Sequence, residues 1–459
     1  MSAPELIALE SVHAAAGRQV GSADLAIALL DPGCFTPFYD VPLALHLQRR
    51  GLRVEWLTSA FEFEDVRTPP ELPVQHLFFR GLHSRRAAVV LRRVASLRRA
   101  VKLASYPAGL ARLRRTLLAR PPGILHVQWS HLPALEAPLW ARLRTAGWKV
   151  VYTVHDPRPL AGTTVAWLRG VSSALLATAD ALVVHGQRSR AQLVELGAEP
   201  RRVHVVPPAP PLAPDGPGTG PSRETARREL GLSSGEPVVL FFGYVKPYKG
   251  LGVLLESLAR LRVALPAARL LVVGEPVGST APYRRAIARL GLGEHVRWSG
   301  SFVPTPTLAM HLAAADVVAL PYLDGSSSGA LLTAQSFGRP VVATDVADLP
   351  ELVDPGKTGL VVPPGDADAL AAALLRLLSD PDLRDRLGAC GRERVAAQFS
   401  WPRHAECMER LYRAVWSRAP DGIGTTRIAS VPRLTQTSLH RGHAPIGPAH
   451  GRNASARPG

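Results

Sequence analysis

Short apolar segments alternate with segments of helical spacing along most of this chain, and this rhythm limits the possible folds more than any other feature. The apolar segments, such as residues 25–30 (LAIALL) and 317–320 (VVAL), carry no polar side chain on either face. Strands of this kind are typical of a parallel sheet that helices cover on both sides. The order of the elements therefore predicts an α/β protein with doubly wound sheets.

A stretch rich in proline and glycine, PPAPPLAPDGPGTGPS at residues 207–222, interrupts the rhythm near the middle of the 459-residue chain. This composition is typical of a linker, and the alternation begins again after it. Ligands of such sheets bind at the carboxyl ends of the strands, so the cleft between two domains is the predicted site. The expected organisation is an N-terminal Rossmann-like domain (1–207), a linker (208–222), a C-terminal Rossmann-like domain (223–400), a helix (401–417) and a disordered tail (418–459).

The charge balance narrows the choice of partners. The chain carries 54 Lys and Arg against 37 Asp and Glu, a formal net charge of +17. Such a surplus suits nucleic acid, an anionic membrane surface or phosphate-bearing small molecules, although a GC-rich genome also enriches arginine. The chain offers no interleaved aromatics or known reading module for nucleic acid, so nucleic acid is not an expected partner.

Cysteine usage and apolar runs indicate the compartment. The three cysteines, at positions 34, 390 and 407, fit neither a disulfide framework nor a metal site, which favours a reducing cytoplasm. The N-terminus lacks the pattern of a signal peptide, and no apolar run reaches the roughly 18–20 residues of a spanning helix. We therefore expect a cytoplasmic protein whose contact with the inner face of the cell membrane is peripheral.

Residues 321–345 (PYLDGSSSGALLTAQSFGRPVVATD) combine a loop of small residues with the start of a helix. Ser327, Ser328 and Gly329 offer backbone N–H groups with little side-chain bulk, and the helix directs its positive end toward them. This combination predicts an anion site. A surface turn with serine as the helix N-cap fits the loop equally well.

The segment FGYVKPYKG at residues 242–250 connects a strand to a helix. Gly243 permits a tight turn off the strand, and Lys246 and Lys249 place cations at its carboxyl end. A lysine there can neutralise a phosphate leaving group. The alternative is a solvated basic loop, but the location favours phosphate contact.

Two further segments of the N-terminal half follow predicted strands. His155, directly after residues 149–154, could position or polarise a substrate hydroxyl. The alternative is that its ring only forms hydrogen bonds with the local backbone, as a lone histidine often does. The loop DPGCFTPFYD at residues 31–40 leaves the first strand toward the cleft, so Gly33, Phe35 and Thr36 could contact a phosphate or an acceptor there. This loop is not a G-x-G-x-x-G fingerprint, which argues against dinucleotide binding.

Residues 237–401 resemble the nucleotide-sugar-binding domain of GT-B glycosyltransferases of family 4, the glycosyl transferases group 1. The matching segments, in order, are VLFFGYVKPYKGLGVLLESL, ARLLVVGE, VRWSGSFVP, AADVVALPY, GRPVVATDVADLPELVDPGKTGLVVPPGDADALAAAL and FSW. The resemblance implies a GT-B fold with an interdomain cleft. It also implies retaining transfer of a sugar from a nucleotide diphosphate sugar to a hydroxyl, without a cofactor or an obligatory metal.

Carried over by position, the resemblance assigns a role to each candidate. The first half of the chain supports it through His155-Asp156 and its general layout. The candidates are His155 and Asp156 as catalytic residues, Gly243, Lys246, Lys249, Ser327, Ser328 and Gly329 at the donor diphosphate, and Gly300, Phe302, Val303, Asp324 and Thr333 at the nucleotide and sugar.

The chain departs from the family pattern at positions that matter for activity. The family has two glutamates where this chain has Gly325 and Thr333, and Asp324 is the possible substitute for the first. The usual arginine of the phosphate-binding loop is Tyr244 here, which Lys246 could compensate. We interpret the chain as a variant subgroup. A catalytically silent GT-B protein that binds or activates a partner transferase at the membrane is the alternative.

The segment from Ser84 to Arg120 holds eleven Lys and Arg and no acidic residue. Leucine and valine recur between the arginine pairs at helical spacing. This pattern predicts a basic amphipathic helix on an anionic membrane surface, whereas the simpler alternative is a helix with a solvated face. A membrane-facing patch would suit an acceptor that is a lipid-linked saccharide in cell-surface polysaccharide synthesis.

Overall fold

The structure is a computed structural model that describes residues 25–61, 66, 68–80, 95–158, 173–214, 220–325 and 328–418. The first sheet contains β1 (Ala26–Asp31), β2 (Arg53–Thr58), β3 (Val74–His76), β4 (Ile124–Val127), β5 (Lys149–Thr153), β6 (Ala181–Val184) and β7 (Val203–Val205). Its strands pair in parallel in the order β3-β2-β1-β4-β5-β6-β7. The helices of this half are α1 (Pro37–Arg49), α2 (Ala95–Leu118), α3 (Pro133–Thr145), α4 (Ser173–Thr178) and α5 (Gln187–Glu195).

The second sheet repeats this topology. Its strands are β8 (Val238–Phe242), β9 (Arg269–Val273), β10 (Val296–Trp298), β11 (Val317–Leu320), β12 (Val341–Thr344) and β13 (Gly359–Val362). They pair in parallel in the order β10-β9-β8-β11-β12-β13. The helices are α6 (Arg223–Glu229), α7 (Leu251–Ala264), α8 (Ala281–Arg289), α9 (Thr305–Ala314), α10 (Gly329–Ser336), α11 (Leu349–Leu352), α12 (Ala367–Ser379), α13 (Pro381–Gln398) and α14 (Trp401–Ser417).

Neighbouring residues of the central strands enter different cores, which explains why these strands are apolar throughout. Leu29 and Leu30 of β1 pack on opposite faces of the first sheet, and both are at most 2% exposed. Val239 and Leu240 of β8 divide in the same way in the second sheet. The prediction of two doubly wound Rossmann-like α/β domains is confirmed.

The last helix, α14, returns to the first sheet. Met408 and Tyr412 on this helix are fully buried in the same core as Leu29. At its start, the indole N–H of Trp401 donates a hydrogen bond to the carbonyl oxygen of Pro210 (3.0 Å). Helix α14 therefore completes the core of the N-terminal domain.

Some predictions concern residues outside the described ranges. These are Ser327, residues 84–94 of the basic segment, and the tail over 418–459 apart from Arg418. Among the helices that the structure describes, none is both long enough and apolar enough to cross a membrane.

Candidate active site

The loop after β8 places an ammonium group at the carboxyl edge of the second sheet. Gly243 follows β8 with a φ of +98°, a conformation that favours glycine. A Cβ atom there would lie 3.0 Å from Nζ of Lys249, so the lysine side chain reaches back across the end of the strand. The same Nζ lies 5.2 Å from the ring centroid of Tyr322, which follows β11. The structure thus brings Gly243 and Lys249 together between two adjacent strands.

A close backbone approach holds this loop against the loop after β11. Gly250 has a φ of +72°, and a Cβ atom there would lie 1.8 Å from the carbonyl oxygen of Pro321. The N–H of Leu323 donates to the carbonyl oxygen of Tyr248 (2.7 Å). The two loops therefore pack as one unit, and only glycine fits at position 250.

The second lysine of the loop has different surroundings. Nζ of Lys246 lies 5.9 Å from the ring centroid of Tyr244 and 5.8 Å from that of Tyr248. Both ammonium groups thus lie near tyrosine rings, and that of Lys249 also reaches back to Gly243 at the end of β8. Lys249 is the better placed of the two for a ligand at the strand end.

Ser328 is the N-cap of α10. Its Oγ accepts a hydrogen bond from the N–H of Leu331 (3.3 Å) and lies 3.4 Å from the hydroxyl oxygen of Tyr322. A Cβ atom on Gly329 would lie 2.6 Å from Cγ of Pro211, so packing against the chain before the second domain also requires glycine here. The cap and an anion site are compatible, because capping uses the serine hydroxyl and leaves earlier backbone N–H groups of the helix for a ligand.

The residues at the positions of the family glutamates differ in their exposure. Asp324 is exposed, and its Oδ1 accepts a hydrogen bond from the N–H of Gly325 (2.8 Å). Thr333 lies on α10 and is 2% exposed. Asp324 is thus accessible to a ligand from solvent, whereas Thr333 lies beneath the surface of the helix.

The residues predicted at the nucleotide follow β10. Gly300 is exposed and has a φ of +68°. The ring of Phe302 meets the ring of Phe61, of the N-terminal domain, edge to face at a centroid distance of 6.0 Å. Val303 packs against the core of the C-terminal domain. Phe302 therefore also contacts the opposite domain.

His155 lies at the carboxyl edge of the first sheet and is half-buried. Its Nε2 lies 3.0 Å from Oε1 of Gln128, and its ring stacks on Trp129 at a centroid distance of 4.7 Å. Burial, followed by the nearby histidines, holds the pKa of His155 well below its ordinary value. The pKa of Tyr248, in the C-terminal domain, is raised mainly by burial and next by Tyr322. The charge of Asp156, which neighbours His155, is the third cause. His155 and Asp156, the two predicted catalytic residues, therefore belong to the N-terminal domain and face the C-terminal domain.

The opening loop is organised by a buried carboxylate. Asp31, which is fully buried, accepts hydrogen bonds from the N–H of Gly33 (3.2 Å) and of Thr36 (3.0 Å). Burial raises the pKa of Asp31. The pKa of Asp40 is raised well above its ordinary value, mainly by burial and next by the charge of Asp31. Burial and the charge of Asp31 thus favour the protonated form of Asp40.

Phe35 and Thr36 support a row of rings. Thr36 Oγ1 accepts a hydrogen bond from the indole N–H of Trp129 (3.0 Å). Phe35 is 39% exposed, and its ring stacks on His131 at 4.9 Å and meets Trp129 edge to face at 5.7 Å. Because Trp129 also stacks on His155, this row connects the predicted acceptor loop to the predicted catalytic histidine.

Sequence reasoning missed the residues that surround His155. We name His126, His155, His185 and His404 the histidine cluster; their rings lie among Tyr39, Trp401 and Tyr412. A signal was present, because His126 interrupts the apolar run of β4 and Gln128 follows it. Within the described ranges, no three His, Cys, Asp or Glu side chains are placed to hold a metal ion.

Carboxylates of the C-terminal domain meet the first turn of α5. Asp348 accepts hydrogen bonds from the N–H and the hydroxyl of Ser189, and Glu351 accepts from the N–H groups of Gln187 (2.9 Å) and Arg188 (3.1 Å). We name this contact the interdomain clasp. It places the carboxyl edges of the two sheets against each other, since α5 follows β6 and Asp348 follows β12.

Four apolar side chains of α2 are buried against the N-terminal domain and are not available to a membrane. Tyr106, Leu110, Leu113 and Leu117 pack in the core of the N-terminal domain. Two cations are also engaged, because Arg112 donates to the carbonyl oxygen of Leu77 (2.5 Å) and Arg120 pairs with Glu55. Arg114 and Arg115 are exposed. Leu103 and Leu118 are exposed as well, so the solvent-facing side of α2 carries both cations and apolar side chains.

Family models match most of the chain. The model described as "Glycosyl transferases group 1" matches residues 236–380, and the model described as "Glycosyl transferase 4-like domain" matches residues 41–209. The first match covers all strands of the second sheet, and the second match covers β2 to β7 of the first sheet.

Curated relatives carry the name D-inositol 3-phosphate glycosyltransferase. The protein from Nocardia farcinica (strain IFM 10152) is 39% identical over 266 residues, which are 55% of this chain and 57% of that protein. The chain therefore spans under two thirds of the length of this relative. The protein from Segniliparus rotundus is 31% identical over 392 residues, which are 80% of this chain and 82% of that protein.

A solved structure shares the fold. The crystal structure of Anabaena Alr3699/HepE in complex with UDP-glucose superposes with a TM-score of 0.64 at 17% identity. The match covers 85% of this chain and all of the other. At this level of identity the similarity concerns the fold alone.

Proposed function

Because the chain belongs to the glycosyl transferases group 1 family, we propose that it transfers a sugar from a nucleotide diphosphate sugar to a hydroxyl group. The observation that carries this proposal is the position of Lys249. Its ammonium lies over Tyr322, where the packed loops after β8 and β11 meet. A diphosphate at this edge would lie beside the lysine and before the N-terminus of α10.

These groups account for the charge of the leaving nucleotide diphosphate. Lys249 supplies a full positive charge, and the N-terminus of α10 supplies backbone N–H groups and a partial positive charge. Such a site needs neither a cofactor nor a bound metal to stabilise the departing phosphate. The proposed reaction retains the configuration of the sugar, in keeping with the family.

His155 would act on the sugar as a neutral group. Its lowered pKa keeps the imidazole uncharged near neutral pH. A neutral ring orients a sugar hydroxyl through a hydrogen bond but is a poor general base. Asp156 and the row of rings from Phe35 to Trp129 would then border the acceptor.

Two acceptors are candidates, for different reasons. The names of the relatives favour D-inositol 3-phosphate. The basic segment favours a lipid-linked saccharide at the inner face of the cell membrane, held by electrostatic contact through Arg114 and Arg115. Binding to vesicles with and without anionic lipid tests this contact, and we expect an R114E/R115E variant to bind more weakly. Equal binding by variant and wild type would exclude a role for α2.

The test of the activity is a donor screen. The purified full-length protein is incubated with UDP- and GDP-sugars and with either inositol phosphate or a lipid extract, and released nucleotide is measured. We expect release with one donor only when its acceptor is present.

The alternative is a catalytically silent partner of another transferase, which Gly325 and Thr333 in place of carboxylates favour. Absence of both nucleotide release and a thermal shift with every donor would reject the enzymatic proposal in favour of this one.

A further inference from the structure

A column of hydrogen-bonded polar side chains runs along β4 and β5 toward His155. The hydroxyl oxygen of Tyr412 lies 2.6 Å from Nδ1 of His126, and Nε2 of His126 lies 3.4 Å from Nε2 of Gln128. Gln128 Oε1 lies 3.0 Å from Nε2 of His155. Three segments distant in sequence, namely β4, β5 and α14, thus meet in one chain of hydrogen bonds that ends at the cleft.

This column lies where the fold requires only apolar side chains. His126, Gln128 and Thr153 are all 0% exposed, on the face of the sheet that α14 covers. Burial of polar groups is unfavourable unless they are hydrogen-bonded, and apolar residues at these positions would pack as the rest of the strands do. The presence of a bonded polar column in this core therefore points to a role other than folding.

The orientation of the Gln128 amide in the structure, with Oε1 toward His155 and Nε2 toward His126, sets the protons along the column. Gln128 Oε1 can only accept, so the Nε2 of His155 carries the proton. Gln128 Nε2 can only donate, so the Nε2 of His126 accepts, and it also lies 2.7 Å from the hydroxyl oxygen of Thr153. The proton of His126 is then on Nδ1, and the hydroxyl oxygen of Tyr412 accepts it.

The other neighbours of His155 leave this assignment in place. Trp129 stacks on one face of the ring, and Tyr39 meets it edge to face at a centroid distance of 5.5 Å. The titratable groups that face it from α1, β4, β6 and α14 are Tyr39, His126, His185 and His404. All of these are neutral near neutral pH, so none of them draws a second proton onto the ring.

We infer that Gln128 is a positioning residue that holds His155 in the tautomer protonated at Nε2. Nδ1 then carries the lone pair and can only accept, so His155 recognises a sugar hydroxyl as a hydrogen-bond donor. This role rests on the proposed function, in which His155 lies beside the sugar. The tautomer itself is a property of the free protein.

Nitrogen NMR of the full-length protein labelled with ¹⁵N-histidine measures the tautomer directly. The signals of His155 are assigned by their loss in His155→Gln. We expect a protonated Nε2 and an unprotonated Nδ1 between pH 6 and pH 8. Gln128→Leu should give a mixture of tautomers. Gln128→Glu should keep the Nε2 proton and raise the pKa of His155, because a carboxylate favours the imidazolium form.

The same variants are then compared in turnover. We expect Gln128→Leu to lower kcat about tenfold and to leave the KM of the sugar donor within about twofold. Gln48→Leu is the matched control, because Gln48 bonds the carbonyl oxygens of Val54 and Glu71 away from His155; it should change neither the tautomer nor kcat.

A proton on Nδ1 in the wild type, or an unchanged tautomer in Gln128→Leu, would overturn the inference. An inactive wild type with the Nε2 proton would instead refute only the proposed function.

Discussion

The carboxylate of Asp348 accepts hydrogen bonds from both the backbone N–H and the hydroxyl of Ser189, across the two domains. Asp348 is fully buried, and a Cβ atom on Gly186 would lie 2.2 Å from its Cγ. Negative charge at the N-terminus of a helix is favourable, so this pair joins the domains through the dipole of α5 as well as through hydrogen bonds.

Removal of this carboxylate should weaken the protein measurably. We expect Asp348→Ala to lower the free energy of unfolding by about 2–3 kcal/mol, because it leaves two buried groups of Ser189 without their partner. Urea denaturation followed by circular dichroism gives the value. Asp345→Ala is the control, since the pair of Asp345 with Arg188 is about half exposed and should contribute under about 1 kcal/mol. Equal losses in the two variants would contradict the role of the interdomain clasp.

Two glycines close together in sequence should respond in opposite ways to alanine. Gly250→Ala forces a Cβ atom against the carbonyl oxygen of Pro321 at a positive φ, so we expect strong destabilisation and loss of donor binding. Gly252 lies in α7 with open space around its Cα, and Gly252→Ala should stabilise by about 0.5–1 kcal/mol. Melting temperatures of both variants test this, and a stable Gly250→Ala protein would show that the two loops are not packed as described.

Turnover should depend on Lys249 far more than on Lys246. We expect Lys249→Met to reduce kcat about 100-fold, the loss typical of a group that stabilises charge in the transition state. Lys246→Met should have a smaller effect because, of the two ammonium groups, that of Lys249 is the one that reaches Gly243 at the end of β8. Nucleotide release under saturating donor measures both, with Lys357→Met as a control for loss of an exposed charge. Wild-type turnover by Lys249→Met would remove this lysine from the site.

The histidine cluster should make stability depend on pH. Burial lowers the pKa of His126 and of His404 to about 3, and burial also lowers the pKa of His185. The unfolded chain binds these protons first, at a pKa of about 6.5, as the pH falls. Stability is therefore complete above pH 6.5 and is lost between pH 6.5 and 3, by up to about 1.4 kcal/mol per pH unit for each histidine.

Urea midpoints at pH 7.5, 6.5 and 5.5 measure this dependence before most carboxylates titrate. His404→Gln should reduce the number of protons bound on unfolding, which the slope of stability against pH measures, by about one. This holds whatever the effect of the substitution on the absolute stability. The raised pKa values of Asp31 and Asp40 act in the opposite direction in both proteins, so the comparison of variant with wild type decides the outcome. An equal slope in His404→Gln and the wild type would mean that His404 is accessible to protons in the folded state.

The sequence predicted those features of the fold that depend on local pattern. The bounds of β11 agree with the apolar run at residues 317–320 that predicted it. The apolar residues 77–79 do not extend β3 beyond His76, because β3 is an edge strand that pairs with β2 and Phe79 has a φ of +52°. The 18-residue helix α13 was not predicted, since its sequence is rich in charge, although Asp380 caps it.

The site was harder to predict, because its organisation depends on contacts between distant segments. Lys249 could be proposed from its place after a strand. The hydrogen bond from His155 to Gln128 and the contact of Asp348 with Ser189 join residues 27 and 159 positions apart, which no local spacing reveals. Such contacts emerge only from the arrangement of the sheets.

The return of α14 to the first sheet separates the order of synthesis from the order of folding. On the ribosome, β7 emerges about 200 residues before the helix that covers Leu29. At roughly 5–20 residues per second, the nascent N-terminal domain keeps an uncovered apolar face for about 10–40 seconds while the whole C-terminal domain is translated. The C-terminal domain is thus inserted in the sequence between two parts of the N-terminal domain, and the N-terminal domain, which is the first to be synthesised, is the last to complete its core.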